Sequence, residues 1–203
     1  MKKLLVILVL SSYLLTSSEA DDIRDFQIEG MNIGDSLLDH FNRQEIEFLI
    51  NLEGTFVYPD GKLKIIKTHT NVEDLISKGL KKTKTYDYAG VSFTDDKKFI
   101  IIGTSAYIEF TDINECNKKR KELKKEINDF LKIKPVDEVK KHAYDNYSKS
   151  YTTWFFFPNE ENVSINCTDW SAKLIKERGW SPHLKVNISS QEYIKLLKKN
   201  YDK

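Results

Sequence analysis

The stretch Tyr151-Thr152-Thr153-Trp154-Phe155-Phe156-Phe157 decides the fold. Every residue in it is aromatic or β-branched. Such side chains lose rotamer freedom in a helix and pack well on a pleated surface. Apolar side chains fall at both parities, so the run reads as a central strand covered on both faces. Pro158-Asn159-Glu160-Glu161-Asn162 follows as a hairpin turn, and residues 163–167 return beside the first strand.

Upstream, Tyr86, Tyr88 and Val91-Ser92-Phe93 suggest another strand, and Thr94-Asp95-Asp96-Lys97 a turn. Residues 99–102 read as a buried strand, Gly103-Thr104-Ser105 as a second turn and residues 106–110 as a third strand. Together they predict an antiparallel meander. Tyr58-Pro59-Asp60-Gly61 is a turn signal before a strand at 62–67, and residues 70–83 read as a loop with one helical turn. Short helices are expected over 35–41 and 43–49.

Asp112 and Glu115 have capping-box spacing before a helix ending near Leu131. Cys116, Leu123, Ile127, Phe130 and Leu131 form its apolar stripe. Pro135 predicts a further helix, through Val136, Val139 and Ala143 to about Tyr147. Asp169 is placed to cap a short helix ended by Gly179. Residues 184–188 alternate as a strand, and Ser189 or Ser190 caps a final helix with Tyr193, Ile194 and Leu197 inward. The fold class expected is one α+β domain over 21–203, a mostly antiparallel sheet packed by several helices.

Residues 1–20 read as a cleaved signal peptide rather than fold. Lys2 and Lys3 precede the apolar run 4–10, and Ser18-Glu19-Ala20 offers small residues at a peptidase site. An uncleaved anchor is the alternative, but the run is shorter than the ~20 residues a bilayer needs. No later run of 18 apolar residues predicts a transmembrane helix. The chain carries 32 Lys and Arg against 31 Asp and Glu. Without Lys2, Lys3 and Glu19 the two totals are equal, so no excess of basic charge points to nucleic acid. Abundant Lys, Ile and Asn with little Gly suggest an AT-rich bacterium, where the exported chain is periplasmic or secreted.

Export places Cys116 and Cys167 where oxidation is possible, and each has a single possible partner. A structural disulfide is the leading reading, against two buried thiols or a metal or redox pair; no C-x-x-C motif is present.

No histidine spacing matches a metal motif, and neither a nucleophile elbow nor a phosphate loop occurs. No cofactor or metal is therefore expected. The candidate binding residues are Asp169, Trp170, Trp180 and His183, which gather in one short window. Trp154 reads as core. Asp169 and His183 would also be the site of a small periplasmic hydrolase, if the intervening helix folds back. Lys118, Lys119, Arg120, Lys121, Lys124 and Lys125, against Glu122 alone, form a candidate basic contact face for an envelope protein or anionic surface. A solvated helix face is the simpler reading and the one favoured, since the rest of the chain compensates the charge.

Residues 22–38 (Asp22-Ile23-Arg24-Asp25-Phe26-Gln27-Ile28-Glu29-Gly30-Met31-Asn32-Ile33-Gly34-Asp35-Ser36-Leu37-Leu38) and Cys167-Thr168-Asp169-Trp170-Ser171 resemble segments of small exported proteins from marine alphaproteobacteria with streamlined genomes. The resemblance covers most of the chain after the leader and implies no activity, cofactor or catalytic residue. Residues 28–38 also faintly resemble the start of small outer-membrane assembly lipoproteins, without their lipid-bearing cysteine. The function expected is an exported, non-enzymatic binding or envelope-accessory module, with the hydrolase as alternative.

Overall fold

Period-two patterning makes strand the main regular element from Leu63 onward, and the computed structural model describes residues 23–201 except 53, 54, 60, 84, 95, 143 and 144. The expected leader lies outside the described residues. The elements in chain order are α1 (Arg43–Asn51), β1 (Phe56–Val57), β2 (Leu63–Thr70), α2 (Glu73–Ser77), β3 (Lys81–Lys82), β4 (Tyr88–Thr94), β5 (Ile101–Glu109) and α3 (Ile113–Leu131). Then come β6 (Val136–Lys141), β7 (Lys149–Phe156), β8 (Asn162–Asp169), α4 (Ala172–Arg178), β9 (His183–Ser189) and α5 (Gln191–Tyr201).

All these strands join one nine-stranded sheet, in the order β1-β2-β4-β5-β9-β8-β7-β6, with β3 beside β2. Every pairing is antiparallel except β2–β3. The α+β class expected from the sequence is therefore found. Strand β9, near the end of the chain, fills the slot between β5 and β8.

Side chains alternate across the sheet. Val163, Ile165 and Cys167 of β8 share one face with Leu184, Val186 and Ile188 of β9. Helix α3 covers this face with Cys116, Leu123, Ile127 and Leu131, at steps of seven, four and four. Asp112 caps α3 by accepting from the Asn114 N–H at 2.8 Å. A disulfide joins Cys116 to Cys167, with Cα atoms 6.0 Å apart, and ties the first turn of α3 to β8. Toward β2, the apolar side chains of residues 31–49, including Leu37, Phe41 and Ile46, extend the core over Ile66 and Val91.

Several expectations give way. Residues 136–141 form the edge strand β6, not a helix. The apolar residues Val136 and Val139 carry the i, i+3 spacing of a helix face, but pairing with β7 wins. Gly103 and Ser105 lie inside the continuous strand β5 rather than in a turn. Gly103 pairs with Ser92 on one side and Ser189 on the other, and the close approach falls at Gly90 instead, where a Cβ would run into the Ile66 carbonyl oxygen. Strand β7 is second from the edge and covered on one face only; Phe155 is fully buried while Phe156 is 50% exposed. Residues 37–39 make a 3-10 turn capped by Ser36 in place of the expected helix. Ser171, not Asp169, caps α4.

Candidate functional site

The face of the sheet turned away from α3 has a different chemistry. Across the strands, Tyr88, Tyr107, Lys185, Asn166 and Thr152 stand in one row. Gly90, Ser105, Asn187, Ser164 and Trp154 form the next. The middle of the face is thus small and polar, with rings toward both ends. Its polar groups engage one another. The Asn166 amide donates to Thr152 Oγ1 at 2.7 Å, Thr168 Oγ1 donates to Asn166 Oδ1 at 2.8 Å, and the Asn187 amide donates to Ser164 Oγ at 3.2 Å.

One cavity, of about 400 Å³, lies at the Tyr88–Tyr107 end. Its wall opposite the sheet comes from the segment flanking α4. Gly179, in the left-handed region at φ 65°, ends α4 and turns the chain back. Trp180 thereby lies against Trp170, ring centroids 4.5 Å apart. His183 packs on Trp170 at 5.7 Å and on Tyr107 at 5.8 Å. Burial holds the His183 imidazole below the ordinary histidine pKa, and Lys185 and His142 act in the same direction against a hydrogen bond with the Ser181 backbone. The ring is therefore neutral at pH 7. Lys67 and Lys185 stand over the rings of Tyr88 and Tyr107 at 4.7 and 5.0 Å. Glu109 also lines the cavity. Burial, with Glu109 and Asp87, raises the Tyr88 pKa, so that its hydroxyl stays protonated.

The tryptophan wall is held from behind. Asp145, in the β6–β7 connection, accepts from the Ser148 and Tyr147 N–H groups at 2.5 and 3.0 Å and from Ser171 Oγ at 2.8 Å. The Ser171 N–H in turn donates to Ser148 Oγ at 2.9 Å. The Ser148 N–H leads the set of bonds that bring the Asp145 pKa down to about 2. His142 completes the support, with its ring 4.6 Å from Trp170.

A second cavity, of about 820 Å³, opens at the other end of the face, between the sheet and α5. Trp154 and Phe156 line it with nearly parallel rings, 5.7 Å apart and 12° from coplanar orientation. Trp154 is thus a surface ring on the open face rather than core.

Three of the four candidate binding residues, Trp170, Trp180 and His183, meet in the first cavity. Asp169 does not join them. It ends β8 in the alternation that places Cys167 on the α3 face, whereas His183 stands opposite Thr168 on the other. The pair needed for a hydrolase is therefore split across the sheet. The basic helix is also less open than its sequence suggests. Arg120, Lys124, Lys119 and Lys125 are engaged by Asp137, Asp137, Glu122 and Asp129 respectively. Lys118 and Lys121 remain exposed.

No family model matches the chain, and no curated protein or solved structure does. Function is accordingly read from the site itself. Among the described residues, no three His, Cys, Asp or Glu side chains converge as metal ligands. Tyr88, Tyr107, Lys67 and Glu109 escaped the sequence reading. Their own strands were visible, but their meeting depends on the β4–β5 and β5–β9 registers, which no local pattern reports. The arrangement suits the stacking and orientation of a ring compound.

Proposed function

We propose that this chain is an exported, non-enzymatic binding module that holds a ring-shaped ligand between the Trp170–Trp180 pair and the Tyr88–Tyr107 pair. The observation that carries this reading is the aromatic-walled cavity of about 400 Å³. Its volume falls in the range of small-molecule sites, about 300–1,000 Å³, and its mostly apolar wall with a few polar groups is their usual composition. Export is supported by the signal-like leader and by the Cys116–Cys167 disulfide, a bond favoured in oxidising compartments. The periplasm is the destination in a bacterial cell.

A planar anionic probe, anilinonaphthalene sulfonate, tests the cavity. Its rings match the aromatic walls and its sulfonate matches Lys67 and Lys185. Saturable one-to-one binding is expected, weakened at least tenfold in both Trp170→Ala and Tyr107→Ala. No binding to the folded protein, or binding by both variants as tight as that of the parent, overturns the reading.

A further inference from the structure

The two cavities lie on one face of the sheet. From the β5 row position to Trp154 on β7 there are three strand spacings, about 14 Å. Ser105, Asn187 and Ser164 pave that interval in direct register. Their side chains are short, so the floor is recessed between the rings of Tyr107 at one end and of Trp154 and Phe156 at the other. A third small hollow, lined by Ser105, Lys185 and Asn187 among others, lies between the two cavities.

The chemistry of this track selects its occupant. Amide and hydroxyl groups in the middle disfavour a lipid or apolar peptide, which would leave the donors and acceptors they do not use on one another unmet. Formal charge is nearly balanced. Lys67 and Lys185 have no carboxylate partner among the described residues, Glu109 shares the first cavity with Lys67, and Lys198 and Glu160 pair with each other at 3.6 Å. Nucleic acid would call for a continuous basic groove. What matches is an uncharged polymer with many hydroxyls and flat faces that rest on aromatic rings. We infer that the open face binds a neutral oligosaccharide laid across the strands from β5 to β7, one sugar ring at Tyr107 and Trp170 and another on Trp154 and Phe156.

This inference rests on the ligand-binding reading above and adds length to it. The test follows tryptophan fluorescence of the oxidised protein during titration with β-1,4-linked glucose and N-acetylglucosamine hexamers and with their dimers. At least one hexamer is expected to bind saturably and at least tenfold more tightly than its own dimer. Trp154→Ala should reduce that hexamer to the affinity of the dimer and leave the dimer unaffected. Phe156→Ala, at a half-exposed position, gives an independent reading should the tryptophan variant misfold. Failure of both hexamers to bind, equal affinity for hexamer and dimer, or indifference of the hexamer to both substitutions overturns the inference. If the naphthalene probe still occupies the first cavity, only the oligosaccharide track falls; if the probe fails as well, the binding-module reading falls with it.

Discussion

The Arg120 guanidinium lies 3.1 Å from the Asp137 carboxylate and joins the middle of α3 to the edge strand β6. Arg120 is 8% exposed and also donates to Thr153 Oγ1 at 2.6 Å. Burial alone would raise the Asp137 pKa, but hydrogen bonds from Lys124 and Thr153 and the nearby guanidinium bring it below the ordinary aspartate value. The exposed outer strand, with Val139 61% exposed, is thus held to the core by a charge pair. Asp137→Ala leaves a buried cation short of its partner and should cost about 1–3 kcal/mol, less than a fully buried pair because the carboxylate is half exposed. Urea unfolding measures it. An unchanged midpoint would show that β6 does not depend on this contact.

The Cys116–Cys167 bond closes a loop with a sequence separation of 51. In the chain-entropy model, a loop of this size contributes about 4 kcal/mol. Reduction, or the double substitution of both cysteines by serine, should lower the unfolding free energy by that order. Hydrogen exchange should rise first in the opening turn of α3. Equal stability of the oxidised and reduced forms would contradict the staple.

His69 is buried beside Phe41, and its pKa is lowered to about 4, first by burial and then by the charges of Lys81 and His40. The folded protein therefore binds fewer protons than the unfolded chain between pH 6.5 and 4. Its contribution is complete above pH 6.5 and is lost as the pH falls toward 4. The shift corresponds to roughly 3 kcal/mol. His69→Leu should flatten the pH dependence of the unfolding free energy across this window. A variant with the same slope as the parent would place the sensitivity elsewhere.

Asp145 acts in a lower window. Its folded pKa of about 2 lies below the ordinary value of 3.8, so its contribution is present above pH 4 and disappears as the pH falls through 2. Asp145→Ala removes the acceptor that joins the 145–148 turn to Ser171. The melting temperature should drop by several degrees at pH 7, with the difference closing near pH 2. The probe affinity should fall at the same time, because Trp170 adjoins Ser171. A lower melting temperature with undiminished affinity would separate the wall from its support.

Much of this architecture is written locally. The stripe of α3, the turn at 158–161 and the alternation of β9 each occupy a few consecutive residues. The cysteine pairing was legible because two thiols admit one bond. Trp170, Trp180 and His183 were recognisable as a group because they are near neighbours in the chain. Residues 136–141 misled because Val136 and Val139 carry helical spacing while the decisive partner, β7, begins eight residues after β6 ends. Gly103 reads as a turn until its pairing with Ser92 and Ser189 is known. Trp154 belongs to a run with aromatic rings at both parities, and such a run does not disclose which side lacks a covering helix. The opposition of Tyr88 and Tyr107 comes from pairing register and has no local signature.

The central place of β9 bears on how the chain folds. The strand that separates β5 from β8 is also the last strand to be synthesised. Until residues 183–189 are available, the meander before α3 and the hairpins after it each present an unsatisfied edge where β9 will bind. Neither half can complete the sheet alone. Insertion of β9 is a keystone event that pairs both edges at once and adds His183 to the tryptophan wall. A chain shortened before Pro182 would therefore lose the joint between its two halves, not merely a tail.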